Sequence, residues 1–171
     1  LRLRTISLRR NQIFQIDMEA FSKLRTFIDL RLNYNNLDNL DFVTNIFTLR
    51  FLAVANNNIR KLNNSTFVKL INLQKIILQY NKIAEIDSNV FITLRNLKEL
   101  VLDFNEINKI ANLSSQFISL ITFSLESNKI EVLNENMLYL VNNNINKFSF
   151  QKNLNKNTFF PKYALKKSIP I

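Results

Sequence analysis

Apolar residues along the chain fall into one recurring phrase, L-x-x-L-x-L-x-x-N-x-I/L. It first reads Leu3, Ile6, Leu8, Asn11 and Ile13. It returns as Phe27, Leu30, Leu32, Asn35 and Leu37, then as Leu49, Leu52, Val54, Asn57 and Ile59. Further copies are Leu73, Ile76, Leu78, Asn81 and Ile83, then Leu97, Leu100, Leu102, Asn105 and Ile107, then Leu120, Phe123, Leu125, Asn128 and Ile130. A seventh copy is partial: Ile145, Phe148, Phe150 and Asn153. The asparagines step by 24, 22, 24, 24, 23 and 25 residues. Within the phrase the central apolar residues alternate with variable ones, the period of a half-buried strand. A fixed period of this length marks a stack of supersecondary units. The pattern therefore predicts one short strand per unit, laid beside the next in a parallel sheet. Each coil buries its apolar side chains against its neighbours, so stability is a nearest-neighbour sum.

The second half of each unit is also patterned. Another apolar residue follows the Asn-x-Ile: Ile16, Leu40, Leu62, Ile86, Ile110 and Leu133. Three units then end in F-x-x-L, with Phe21 and Leu24, Phe67 and Leu70, and Phe91 and Leu94. The second unit has Val43 and Ile46 in those slots, and the fifth has Ser114 and Phe117. Both units are short, so a different return segment is predicted there. The seven repeated asparagines are expected to be buried where the chain leaves the strand. A side-chain amide carries an acceptor and two donors, so it can satisfy backbone groups of adjacent coils.

The phrase and the F-x-x-L ending resemble the leucine-rich repeat family, in its 24-residue "typical" subclass, over roughly residues 3–153. Similar repeats occur in Toll-like receptor ectodomains, Slit and insect immune leucine-rich repeat proteins. The resemblance implies an α/β solenoid, a horseshoe with a parallel sheet on the concave face and loops or short helical turns on the convex face. It divides the chain into a solenoid at 1–153 and a basic tail or makeshift cap at 154–171. In this fold the variable strand positions line the concave face. The expected protein-binding surface is Arg31, Tyr34, Phe51, Lys75, Ile77, Tyr80, Glu99, Val101, Asp103, Phe104 and Glu126. Its middle is apolar, and its charge drifts from basic in the first units to acidic in the fifth and sixth. Exposed aromatics and Arg are enriched at interface hot spots. The competing reading is that Tyr and Phe before the ladder Asn only pack along the edge of the strand array.

Composition narrows the chemistry. His, Cys and Gly are absent. Without them there is no imidazole base, no thiol, no disulfide and no glycine-rich phosphate loop. No cofactor or metal is expected, and nothing places two carboxylates in a pocket, so the chain is read as non-catalytic. The net charge is +10, which opens nucleic acid or acidic membrane as partners. However, residues 1–135 hold 17 cations and 13 anions, while the six lysines beyond them meet no acid. More than half the excess thus lies near the tail, and a polarised repeat face disfavours nucleic acid. The longest apolar run is only a few residues, too short for a transmembrane segment.

Asparagine numbers 28 residues, far more than the ladder uses. It tolerates left-handed backbone best among residues with a Cβ, so it is expected in turns where other repeat proteins place Gly; biased genomic composition explains the excess equally well. Three sequons mark Asn63, Asn64 and Asn112 as candidate glycosylation acceptors, on the side away from the concave face. The chain opens directly in a repeat phrase and has no cysteine-rich caps. The simplest expectation is a fragment of an extracellular or membrane-receptor ectodomain; the alternative is a cytoplasmic adaptor or scaffold.

Overall fold

The structure, a computed structural model, describes residues 2–110, 117–131, 145–151 and 153. Each strand phrase forms a short strand: β1 (Thr5–Ser7), β2 (Asp29–Arg31), β3 (Phe51–Ala53), β5 (Lys75–Ile77), β7 (Glu99–Val101), β8 (Thr122–Ser124) and β9 (Lys147–Ser149). These seven make one sheet in chain order, and every neighbouring pair is parallel. The register is strict, with Ile6, Leu30, Leu52, Ile76, Leu100, Phe123 and Phe148 in one row. The alternation then leaves residues on either side of that row facing outward. β4 (Lys61–Leu62) and β6 (Glu85–Ile86) form a second, two-stranded parallel sheet.

The result is a parallel-strand solenoid. Its α component, expected from the resemblance, is corrected: among the described residues the only helical element is one 3₁₀ segment, Asp41–Asn45. The return segments close instead by isolated i→i−3 bonds. Leu24 N–H donates to Phe21, Leu70 to Phe67 and Leu94 to Phe91, at 2.9–3.0 Å. Single turns of this kind lack the residues to nucleate an α-helix.

Behind the sheet, aromatic rings pack coil on coil in two groups, one around Phe21 and Phe42 and one from Phe67 onward. Phe67 stacks on Phe91 at 5.9 Å, and Phe91 lies 5.4 Å from Phe117. The two short units join this packing by other means. In the second, the 3₁₀ turn buries Phe42 and Val43 together, and Phe42 meets Phe21 edge-on at 6.3 Å. In the fifth, Phe117 takes over the ring position although it aligns with the Leu of F-x-x-L; Ser114 lies outside the described residues. The first coil is looser, since Ile6, Leu8, Ile13, Ile16 and Leu24 are only partly buried. Residues 154–171, the expected tail, lie outside the described residues.

Six of the seven repeated asparagines are buried: Asn35, Asn57, Asn81, Asn105, Asn128 and Asn153. Each makes the same bonds. Asn57 Oδ1 accepts from Leu37 N–H at 3.0 Å, and its Nδ2 donates to Leu32 O at 3.1 Å and Val54 O at 3.0 Å. The acceptor thus serves the preceding coil, and the donors clamp the preceding coil to the Asn's own. Asn11 is exposed and donates only within its own turn, to Leu8 O and Arg9 O.

Candidate partner-binding face

The strict register turns the outward positions into rows. One row is Asp29, Phe51, Lys75, Glu99, Thr122 and Lys147; the next is Arg31, Ala53, Ile77, Val101, Ser124 and Ser149. Charges along them pair locally. Arg31 holds Asp29 with two nitrogens at 2.9 and 3.0 Å, and the Asp29 hydrogen bond raises the Arg31 pKa. Lys75 pairs with Glu99 at 2.7 Å. Phe51 sits between the two cations, with the Arg31 guanidinium 5.2 Å and the Lys75 ammonium 5.8 Å from its ring centre. Ile77 and Val101 are half-buried neighbours in the second row.

Asp103 and Glu126 lie one position further along. Asp103 Oδ1 accepts from the Ser124 hydroxyl at 2.5 Å and the Glu126 N–H at 2.8 Å. Burial pushes the Asp103 carboxyl above its ordinary range, against the pull of those two donors. The Glu126 carboxylate in turn accepts from the Ser149 hydroxyl. In the second coil Asn33 does the same job as Asp103, its Oδ1 accepting from Ala55 N–H at 2.8 Å.

The residue before each ladder Asn is the sharpest feature of this face. Arg10, Tyr34, Asn56, Tyr80, Phe104 and Ser127 all have φ between 52° and 61°. Only one of these six left-handed residues is Asn, so the expected use of asparagine as a glycine substitute is corrected. Left-handed backbone costs a residue with a Cβ about 1–2 kcal/mol. Here an interstrand bond holds it at each coil. Tyr34 N–H donates to Ala55 O at 2.9 Å, and Tyr80 N–H to Asp103 O at 3.0 Å. Tyr34, Tyr80 and Phe104 remain well exposed, at 46%, 45% and 39%. Tyr80 and Phe104 stack at 4.3 Å and 10°, and the Arg10 guanidinium lies 5.5 Å from the Tyr34 ring centre.

Eight of the eleven residues expected at the interface fall into three connected groups, and Tyr34, Ile77 and Val101 stand outside them. Arg31, Phe51, Lys75 and Glu99 form one ionic and cation–π network. Tyr80 and Phe104 form a stacked pair. Asp103 belongs to a hydroxyl-bridged acidic cluster with Glu126 nearby. Sequence reasoning missed Asp29, Ser124 and Asn56, whose roles depend on the coil beside them. Reading the repeats by column sets Asn56 between two tyrosines and Ser124 at a strand centre, but the column alone gives no reason to place either at the site.

Of the sequon residues, Asn63 and Asn64 are exposed, and Asn112 lies outside the described residues. Asn63 N–H donates to the buried Thr66 hydroxyl at 3.1 Å, and Asn64 Oδ1 accepts from Asn89 N–H at 3.0 Å. No group of three or more potential metal ligands occurs among the described residues. None of their helices is long and apolar enough to cross a membrane.

Residues 47–107 match the family model for the leucine rich repeat. No curated protein matches the sequence. Among solved structures, an LRR protein of Leptospira interrogans is 25% identical with a TM-score of 0.79, over 91% of this chain and 39% of its own. TLR13, crystallised as a complex with ssRNA13, is 25% identical with a TM-score of 0.78, over 88% of this chain and 26% of its own. The Drosophila Toll–Spatzle complex, at 20% identity and a TM-score of 0.70 over 79% of this chain and 20% of that one, shows likeness of fold alone. The chain thus spans well under half the length of each of these neighbours. No enzyme family is indicated. Residues 47–107 are leucine-rich repeats, and the strand, left-handed turn and ladder asparagine that build them recur in the described coils on either side.

Proposed function

We propose that the chain is a non-catalytic protein-recognition module whose outward sheet face, the concave side of a leucine-rich repeat horseshoe, binds a protein partner. The observation that carries this reading is the Tyr80–Phe104 stack. Two large rings are held half-exposed in a strained backbone position, where a small polar residue such as Ser127 also fits. Ile77 and Val101 extend the patch along the same two coils and Phe51 onto the coil before, and Arg31, Tyr34, Lys75, Glu99, Asp103 and Glu126 supply its polar rim. Likeness to TLR13 supports an extracellular or receptor-ectodomain setting. The complex of TLR13 with ssRNA13 keeps single-stranded RNA as the competitor to be tested.

The test is partner capture by the immobilised chain, wild type against the double variant Tyr80→Ser with Phe104→Ser, with the melting temperature measured on both. Loss of capture with little change in melting supports the reading. Equal capture by both would refute it. Expression through the secretory pathway, followed by endoglycosidase treatment, tests the setting: a mobility shift removed by Asn63→Gln with Asn64→Gln supports a secreted glycoprotein.

A further inference from the structure

The left-handed column is interrupted once by a small residue between aromatic ones. Coil two carries Tyr34, coil three Asn56, coil four Tyr80 and coil five Phe104. The N–H groups of Tyr34, Asn56, Tyr80 and Phe104 each donate to the next coil's carbonyl at 2.8–3.0 Å. With nearly one φ throughout, the Cα–Cβ bonds of this column leave the backbone in similar directions. Tyr80 and Phe104, one coil apart, stack at 4.3 Å. Tyr34 and Tyr80 are two coils apart, so two sheet steps separate them by about 9.6 Å. At the 4.3 Å spacing of the Tyr80–Phe104 pair, a ring between two others needs about 8.6 Å, twice that spacing, and the gap therefore admits one planar group.

The remaining sides are already taken. Arg10 covers Tyr34, and Phe104 covers Tyr80. Among the described residues neither tyrosine has another ring or cation partner, and the Asn56 side-chain amide has no hydrogen-bond partner. Charge differs between the two sides of the gap: Arg9 and Arg10 lie two coils before Asn56, and Asp103 lies two coils after it. Arg9 and Arg10 are exposed and meet no carboxylate among the described residues. Arg31 and Lys75 are neutralised by Asp29 and Glu99. Further on, Asp103 and Glu126 are acidic.

We infer that the gap over Asn56, walled by Tyr34 and Tyr80, receives an aromatic side chain of a protein partner, flanked in that partner by carboxylates. This rests on the reading of the outward face as a protein-binding surface. Arg9, which meets no carboxylate among the described residues, and Arg10, stacked on the outer face of Tyr34, suit carboxylates on the Tyr34 side of the inserted ring. A polyphosphate running along the face would meet Asp103 and Glu126 within two coils.

The chain contains no Trp, so the indole fluorescence of a probe peptide reports on the probe alone. The probe is acetyl-Glu-Trp-Glu-amide, titrated with the full chain. We expect a saturable change, weakened about tenfold by Tyr34→Ala or Tyr80→Ala, the scale of one lost aromatic stack. Acetyl-Lys-Trp-Lys-amide should bind about tenfold more weakly than the acidic probe. Asn56→Tyr fills the gap with the residue its two neighbours already carry at the same φ. It should abolish probe binding with the melting temperature unchanged. Binding by Asn56→Tyr equal to wild type, or no saturation by wild type at about 10 mM probe, would overturn the inference. So would displacement of the probe by oligouridylate more readily than by unlabelled acidic peptide, which would assign the gap to nucleic acid. Partner capture separates the two levels. Capture lost in the Tyr80, Phe104 double variant but kept in Asn56→Tyr removes the slot and leaves the face; capture kept in both removes the face.

Discussion

Replacing Asn81 by Ala tests the ladder where its bonds are complete. Asn81 Oδ1 accepts from Ile59 N–H at 3.1 Å, and Nδ2 donates to Val54 O and Leu78 O, both at 3.0 Å. The losses are unequal. Val54 O keeps the Asn57 amide as a donor at 3.0 Å, and Leu78 O keeps Asn105 at 3.0 Å. Only the Ile59 N–H is orphaned, and Ile59 is fully buried. One buried unsatisfied donor costs about 1–3 kcal/mol, and each of the two lost bonds about 0.5–1.5 kcal/mol, giving about 2–6 kcal/mol in all. Asn11→Ala is the internal control. Asn11 is exposed, accepts no bond among the described residues, and shares Leu8 O with Asn35. Its loss should stay below about 1 kcal/mol. Urea unfolding followed by circular dichroism measures both. Hydrogen exchange at the Ile59 amide adds a local readout, since stacked coils can open separately. An Asn81→Ala loss under about 0.5 kcal/mol with Ile59 protection unchanged, or equal losses at Asn81 and Asn11, would refute the reasoning.

Three further outcomes follow from the same geometry. Phe67→Ala should cost about 3–5 kcal/mol, because it removes a fully buried ring from the group that includes Phe91 and Phe117; calorimetric melting checks it. Asp103→Asn keeps the acceptor for Glu126 N–H, as Asn33 shows in its own coil. Because burial raises the native Asp103 pKa, the native state binds a proton more tightly than the unfolded one, and wild type is penalised when Asp103 is ionised. The variant should therefore melt higher at neutral pH, with the gap closing as pH falls towards the ordinary Asp value of 3.8; melting across pH tests the sign. Tyr80→Ser with Phe104→Ser should lower stability only by the worth of one stack, about 0.5–1.5 kcal/mol, by the same measurement.

The repeat phrase made the sheet legible because each of its residues answers to a local rule: alternation for Leu30 and Leu32, amide chemistry for Asn35. What escaped depended on the neighbouring coil. Phe42 and Phe117 both meet rings of the preceding return segment, yet neither holds the expected Phe position. Their placement follows the geometry of shortened loops rather than the phrase. The left-handed turn was expected to draw on asparagine, whereas its occupants range from Arg10 to Phe104. Backbone bonds between coils impose that conformation, and no single-residue preference reports on such bonds. The candidate face was legible as columns, but the pairing of Arg31 with Asp29 and the gap at Asn56 appear only when columns are read across coils.

The left-handed column has a consequence for change over time. A glycine there would relieve strain but present nothing. In this chain the turn is fixed by main-chain bonds, so a cation, a phenol, an amide, a hydroxyl or a plain ring all occupy it at nearly one dihedral angle. Each coil therefore offers one position that can be rewritten without redrawing the backbone, at a spacing set by the sheet. Such a row behaves as an alphabet, and new specificities can be spelled one coil at a time.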